Sequence, residues 1–442
     1  MLSTDIQSVA KVVSGKLNSD EVIEFNGVST DTRSEVSGTL FVALEGPNFD
    51  AHSFIKQAEA LGASAIIAHK KIDSNIPIIQ VSNTEKAYQD IAAWHRQSHS
   101  PIVIAITGSN GKTSTKNMLY SILSLTAPTL STKGNLNNHL GVPQTLLDLE
   151  DIHEFCIIEM GANHKHEISL LCSIARPDIS LITNANNAHL GEFGSEENLV
   201  KAKGEILESL TKDGSAIINN SSPHKATWKQ ISGTESVSYF GEGSSVFATN
   251  TEEFKSHTNF NLHFPKQSLS INLSMIGLHQ VDNALAAASC AFELGIKPEL
   301  IKKGLENTLP EKGRLELIEM EDFQILDDTY NANPQSMKAA IDAISNFSGD
   351  KVLVLGSMGE LGKDSKKLHQ EIGKYVRNSN VHHLLTIGED AKEYQGIQFE
   401  DISSIYEAIK KNHKGSTILI KGSRMMRLNE LVDVLVNTSN SS

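Results

Sequence analysis

The strongest constraint on this chain is a glycine-bearing loop set between two elements of different period. Ile102-Val-Ile-Ala-Ile-Thr107 is an unbroken apolar run of strand length, and beyond it Met118, Leu119, Ile122 and Leu123 recur at helical spacing. The intervening Gly108-Ser109-Asn110-Gly111-Lys112-Thr113 therefore stands at a strand-to-helix turn. That context predicts a phosphate cradle: glycines let backbone N–H groups turn inward, the helix N-terminus adds positive potential, and Lys112 can reach a β- or γ-phosphate. Thr113 supplies a hydroxyl where Mg²⁺ would sit, and Ser114 follows it. The position five before Gly111 is Ile106, so the loop departs from the usual phosphate-loop pattern, which has glycine there.

The loop belongs to a longer alternation. Cys156-Ile-Ile158, Ile179-Ser-Leu-Ile182 and Ala216-Ile-Ile218 are further short apolar runs separated by helical stretches, the mark of a parallel sheet covered on both faces. A second series, Phe323–Leu326, Val352–Leu355, Leu384–Ile387 and Ile418–Ile420, begins after Leu309-Pro310 and reads as a separate Rossmann-like unit. Residues 230 to 275 are rich in Ser, Thr and Asn and read as strands or an insertion. The expected fold is α/β in three domains. Residues 1–85 form a small N-terminal α/β unit, 86–310 a central mononucleotide-binding parallel sheet, and 311–442 the C-terminal Rossmann-like domain.

Composition narrows the class. The chain has 442 residues, 39% of them hydrophobic, and no apolar stretch near the ~18 residues of a membrane span. Its start lacks a basic, continuously apolar leader, so a cytoplasmic protein is expected. A net charge of −14 argues against a nucleic-acid partner. Cys156, Cys172 and Cys290 lie far apart in apolar surroundings, which predicts reduced packing residues rather than a disulfide or zinc site.

The strand after the phosphate loop ends in Glu159, at the edge where open α/β sheets bind ligands, so Glu159 is a candidate second Mg²⁺ contact. The following strand runs into Thr183-Asn-Ala-Asn-Asn-Ala-His189, which places His189 on the same edge.

These residues together resemble the Mur ligases, ATP-dependent amide-forming enzymes of peptidoglycan precursor synthesis, over nearly the whole chain. Thr107–Thr113 is similar to their shortened phosphate loop, which accounts for Ile106. Ser29-Thr30-Asp31-Thr-Arg33, with Gly38–Leu44 and Phe49-Asp-Ala-His52, resembles the family's N-terminal domain that holds the UDP end of the substrate. Gly134-Asn135-Leu-Asn137-Asn138, Asp327–Pro334 and Gly356–Gly362 resemble the member that adds the last dipeptide. The resemblance thus implies joining of D-alanyl-D-alanine to UDP-N-acetylmuramoyl-tripeptide through an acyl phosphate, with ATP and Mg²⁺, by a monomeric enzyme. It implies catalytic roles for Lys112, Glu159, His189 and Lys203, the last as a metal-binding carbamate. It also implies Asn283 on adenine, Arg314 on ATP phosphate, Asp328 on the ribose, and Asn135 and Asn138 on the peptide end. Thr113, Glu159, His189 and Lys203 would form the metal set. The ligase that adds the third amino acid, a folate-chain glutamate ligase and an ATP-gated switch are the alternatives; residues 1 to 85 argue against the folate enzyme.

Overall fold

The apolar runs form strands, and their order sets the site. The computed structural model describes residues 1–185 and 193–439. Six parallel strands make the central sheet, in the order Thr129–Ser131, Phe155–Glu159, Ile102–Thr107, Ile179–Ile182, Ser215–Asn219, Val237–Phe240. Ile102–Thr107 is thus flanked by the strand that ends in Glu159 and by the strand that runs on to Thr183. Between 230 and 275 lie Val237–Phe240, an edge strand of this sheet, and then an antiparallel three-stranded insertion of Phe247–Glu253, Thr258–Phe264 and Gln267–Leu273.

Helix Lys112–Leu123 buries Met118, Leu119 and Ile122 against Ala284, Ala287, Ala288 and Ala291 of helix His279–Glu293. Alanines allow close approach of the two helices, and each large apolar side chain buried in the seam contributes about 1.5–3 kcal/mol. All three cysteines are buried and free, and burial pushes the Cys156 thiol up to about 12.

The N-terminal sheet has five strands in the order Lys16–Leu17, Ile78–Gln80, Ala65–Ala68, Leu40–Val42, Val28–Ser29, antiparallel only in its first pair. Helix Thr84–Gln97, capped by the Asn83 side chain on the Lys86 N–H, spans residue 85, where the sequence suggests a boundary. Its apolar residues, Ile91 and Ala92 among them, share one core with Ile67 and Ile79 on one side and Leu146 and Ile158 on the other. Arg96 in the same helix donates to the Ala175 carbonyl at 3.0 Å. The first two units are consequently joined by a packed helix rather than a loose linker.

The C-terminal sheet runs Glu316–Glu319, Gln324–Asp328, Thr417–Lys421, Lys351–Gly356, His383–Ile387, Ile397–Phe399, antiparallel only in its first pair. Its carboxyl edge faces the phosphate loop. No helix among the described residues is long and apolar enough to cross a membrane.

Candidate active site

The phosphate loop is held open by its glycines. Gly108 has φ +152° and Gly111 φ +80°; a Cβ on the first would lie 1.9 Å from the Thr183 hydroxyl and on the second 2.0 Å from Asn283 Oδ1. No other residue fits either place. The loop is tied to the neighbouring strand end by the Ser109 N–H on the Asn184 carbonyl (3.0 Å), the Asn110 N–H on Asn184 Oδ1 (3.0 Å) and the Thr183 hydroxyl on the Asn110 carbonyl (2.6 Å). Lys112 folds back so that its Nζ donates to the Gly108 carbonyl at 2.7 Å. Burial pushes its ammonium below the usual lysine range, while Glu159 and Glu360 act in the opposite sense.

Glu159 is 1% exposed, and its two oxygens differ. Oε1 accepts from Asn137 Nδ2 at 2.7 Å, whereas Oε2 is buried with no hydrogen-bond partner among the described residues. A buried carboxylate oxygen is costly to leave unpaired, and a hard cation is the partner this donor set suits, with the Thr113 hydroxyl as a second oxygen. Lys203, on helix Glu196–Glu208 capped by Ser195, is 1% exposed and makes no hydrogen bond to a described residue. Burial, then the neighbouring Lys112 charge, lowers its amine to about 7. Lys201 points outward instead and pairs with Glu197 at 2.6 Å. His189 lies outside the described residues.

The C-terminal domain closes the opposite wall. Arg314 donates through its Nε to Glu311 (3.1 Å) and through NH2 to the Thr113 hydroxyl (2.9 Å), and its guanidinium lies 4.0 Å from the centre of the Tyr330 ring. Asn333 caps helix Pro334–Ser345 and also donates to Asn110 Oδ1 at 2.6 Å. Asp328 accepts from the buried Lys421 Nζ at 2.5 Å, and Lys421 also reaches the Asn331 carbonyl at 2.9 Å. Burial raises the Asp328 carboxyl, with Lys421 opposing. Asn283 is buried against Gly111, its Nδ2 on Gln280.

Between these walls lies a cleft of about 760 Å³. It brings together Ser109 to Ser114, Glu159, Lys203, Asn283, Arg314 and Asp328, and also Asn135 and Asn138. Asn138 Oδ1 accepts from the Leu140 and Gly141 N–H groups, so that end of the amide starts helix Gly141–Leu147. Ser29, Thr30, Asp31 and Arg33 are not in the cleft lining. Their loop sits on the N-terminal domain, where Arg33 pairs with Asp31 at 2.6 Å and keeps an exposed side chain. The cleft also contains groups that sequence reasoning left without a role: Asn137, His279, Asp282, Tyr330, Glu360, Lys421 and Arg424. Lys421 follows the apolar run Ile418–Ile420 directly, and that was its only signal.

Comparison with known proteins agrees with this architecture. Residues 24–98, 106–291 and 313–424 match the Mur ligase catalytic domain, the Mur ligase middle domain and the Mur ligase glutamate ligase domain. The UDP-N-acetylmuramoyl-tripeptide–D-alanyl-D-alanine ligase of Escherichia coli is 38% identical over 98% of this chain and 99% of its own length. The crystal structure of MurF from Acinetobacter baumannii superposes with a TM-score of 0.94 at 36% identity, covering 99% of both chains. That of the Thermotoga maritima MurF ligase in complex with ADP superposes at 0.84 with 27% identity, covering 92% of this chain and 96% of its own. This chain belongs to the Mur ligase family.

Proposed function

We propose that the cleft joins D-alanyl-D-alanine to UDP-N-acetylmuramoyl-tripeptide with hydrolysis of ATP, giving UDP-N-acetylmuramoyl-pentapeptide, ADP and phosphate. The observation that carries this reading is Arg314 of the C-terminal unit touching Thr113 of the phosphate loop, in a chain whose full-length relatives at 36–39% identity bear that activity as their name. A nucleotide on this loop is enclosed by two domains.

A carboxylate does not acylate an amine, so the tripeptide's free carboxylate first takes the γ-phosphoryl group and ADP leaves. Negative charge spreads over the transferred oxygens, and the electropositive loop, Lys112 and Arg314 are the groups placed to stabilise it. Lys112 turns from the Gly108 carbonyl toward the phosphates. Asn283 serves the adenine edge with its donor and acceptor, and Asp328 the ribose. Thr113 and Glu159 would hold Mg²⁺, with His189 and a Lys203 carbamate completing the set; when bound, the ion neutralises phosphate charge. Ser29, Thr30, Asp31 and Arg33 hold the UDP end at a distance from the chemistry, and Asn135 and Asn138 hold the peptide end.

The carbamate rests on Lys203 itself. An amine lowered to about 7 is about half neutral at neutral pH, and that neutral fraction adds CO₂ with loss of one proton, giving an anionic carbamate beside Lys112. High-resolution density at saturating bicarbonate tests it: a bare amine turned away from the nucleotide overturns it. We take the protein to act as a monomer, and the need for ATP supports a cytoplasmic location.

The reading itself is tested with Lys112→Ala, which should abolish acyl-phosphate formation while UDP-substrate binding persists. Retained acyl-phosphate formation in that variant would sink it.

A further inference from the structure

Away from the cleft, the carboxyl edge of the N-terminal sheet gathers a second set of groups. Strands Leu40–Val42 and Ala65–Ala68 run parallel as neighbours there, and Glu45 follows the first while His69 follows the second. Glu45 opens a short hairpin, Glu45–Gly46 with Phe49–Asp50, after which the turn Ala51–Phe54 carries His52. A ring nitrogen of His52, one of His69 and a carboxylate oxygen of Glu45 lie within 4.8 Å of one another, the one such cluster among the described residues. None of the three side chains lines the cleft.

The hydrogen bonds around the cluster orient it. Asp50 Oδ1 accepts the His52 N–H at 3.0 Å and faces His52 Nδ1 at 2.7 Å, so a proton on Nδ1 leaves the lone pair on Nε2. His69 Nδ1 lies 3.4 Å from the Thr84 hydroxyl, and its Nε2 lies 2.9 Å from Glu45 Oε2. The remaining oxygens, Glu45 Oε1 at 3.0 Å and Asp50 Oδ2 at 2.6 Å, accept from Lys70 Nζ. Each carboxylate thus gives one oxygen to Lys70 and turns the other to a histidine. Two carboxylates against one ammonium leave a negative balance, which favours a cation. Rings held at Nδ1 by a carboxylate or a hydroxyl are the arrangement that presents Nε2 to a metal. A cation between the rings, whose centres are 4.3 Å apart, replaces only the Glu45–His69 contact and a 3.3 Å bond from the His69 N–H to His52 Nε2.

We infer that His52 Nε2, His69 Nε2 and Glu45 Oε2 form a binding site for one Zn²⁺-like cation, with Asp50 as the carboxylate behind His52. Two imidazoles and one carboxylate suit Zn²⁺ or Co²⁺ rather than Mg²⁺, which prefers six oxygens. Ligand atoms about 2.0–2.2 Å from such an ion must draw in from their present spacing. Glu45, 44% exposed, is free to make that movement, while His52, 4% exposed, stays fixed. Water takes the fourth position. The ion ties the Glu45–Asp50 hairpin to the end of strand Ala65–Ala68.

Co²⁺ reports the site in the full-length chain without an affinity tag, freed of metal by dialysis and held in excess Mg²⁺ to fill oxygen-rich sites. One Co²⁺ per chain should bind with the strong visible absorption of four-coordinate cobalt, and Zn²⁺ should displace it. His69→Ala should abolish that absorption, and Asp50→Asn should weaken Co²⁺ binding about 10–100-fold, as loss of an outer-shell carboxylate does. Absence of the four-coordinate spectrum in the wild type, or its survival in His69→Ala, overturns the site. Urea unfolding of metal-free His69→Ala shows whether that variant is folded. If it is not, Glu45→Gln takes its place, expected to weaken Co²⁺ binding about 10-fold or more, and an unchanged affinity there overturns the site.

Discussion

The Arg314 guanidinium donates to the Thr113 hydroxyl at 2.9 Å across the boundary between the central and C-terminal domains. One arginine therefore senses both the phosphate loop and the Tyr330 face on which it rests. If a bound triphosphate draws the same guanidinium to its charge, as we propose, domain closure and phosphoryl transfer depend on one side chain. Arg314→Ala should lower kcat for phosphate release by about 10²–10³-fold, the scale of losing one well-placed donor. Steady-state phosphate release checks this, with urea unfolding expected to change by less than about 1 kcal/mol because the side chain is partly exposed.

Asn137 bonds Oε1 of Glu159 and leaves Oε2, the oxygen proposed to meet the cation, without a hydrogen-bond partner among the described residues. Asn137→Ala should weaken Mn²⁺ binding to the enzyme–nucleotide complex about 10–100-fold, as removal of an outer-shell partner does. Electron paramagnetic resonance of bound Mn²⁺ reads this directly.

Lys203 carries a pH signature. Its amine is lowered to about 7 in the folded chain, against an ordinary 10.5 when unfolded. Between those values the unfolded chain binds the proton and the folded chain does not, so stability rises with pH by up to about 1.4 kcal/mol per unit. The cost of burying the ammonium is fully present below 7 and gone above 10.5. In CO₂-free buffer the wild type should gain stability over Lys203→Met from pH 7 to pH 9, and saturating bicarbonate should flatten that difference. Chemical denaturation across pH, with and without bicarbonate, measures it.

Lys421 and Asp328 are a buried pair, with Lys421 2% exposed. Lys421→Met leaves the carboxylate without its cation and should cost about 3–5 kcal/mol. Adding Asp328→Asn should recover part of that loss. A double-mutant cycle in urea gives the coupling.

The loop, its glycines and the strand ends at Glu159 and before Thr183 were legible because they follow from local rules: apolar runs of strand length, helical spacing after a turn, and glycines at a tight turn. Lys203 and Asn283 needed family resemblance, since nothing in a helical lysine or an alanine-rich helix announces what it faces. Asn137 was hidden among neighbouring asparagines, and only the fold tells which of them turns to Glu159. Lys421 ends an apolar strand and is buried by a partner 93 residues away in sequence. Helix Thr84–Gln97 spans residue 85 because its apolar face serves two units at once, a tertiary fact with no local mark. The edge strands Glu316–Glu319 and Ile397–Phe399 are too short and too polar to stand out.

The central claim is that ATP activates the tripeptide carboxylate for capture by a dipeptide amine. Phosphate release, measured with UDP-muramyl peptides of different length crossed with amine acceptors, tests it most directly. The account predicts release that requires both UDP-N-acetylmuramoyl-tripeptide and D-alanyl-D-alanine. Release with the UDP-dipeptide form and a free diamino acid would contradict it.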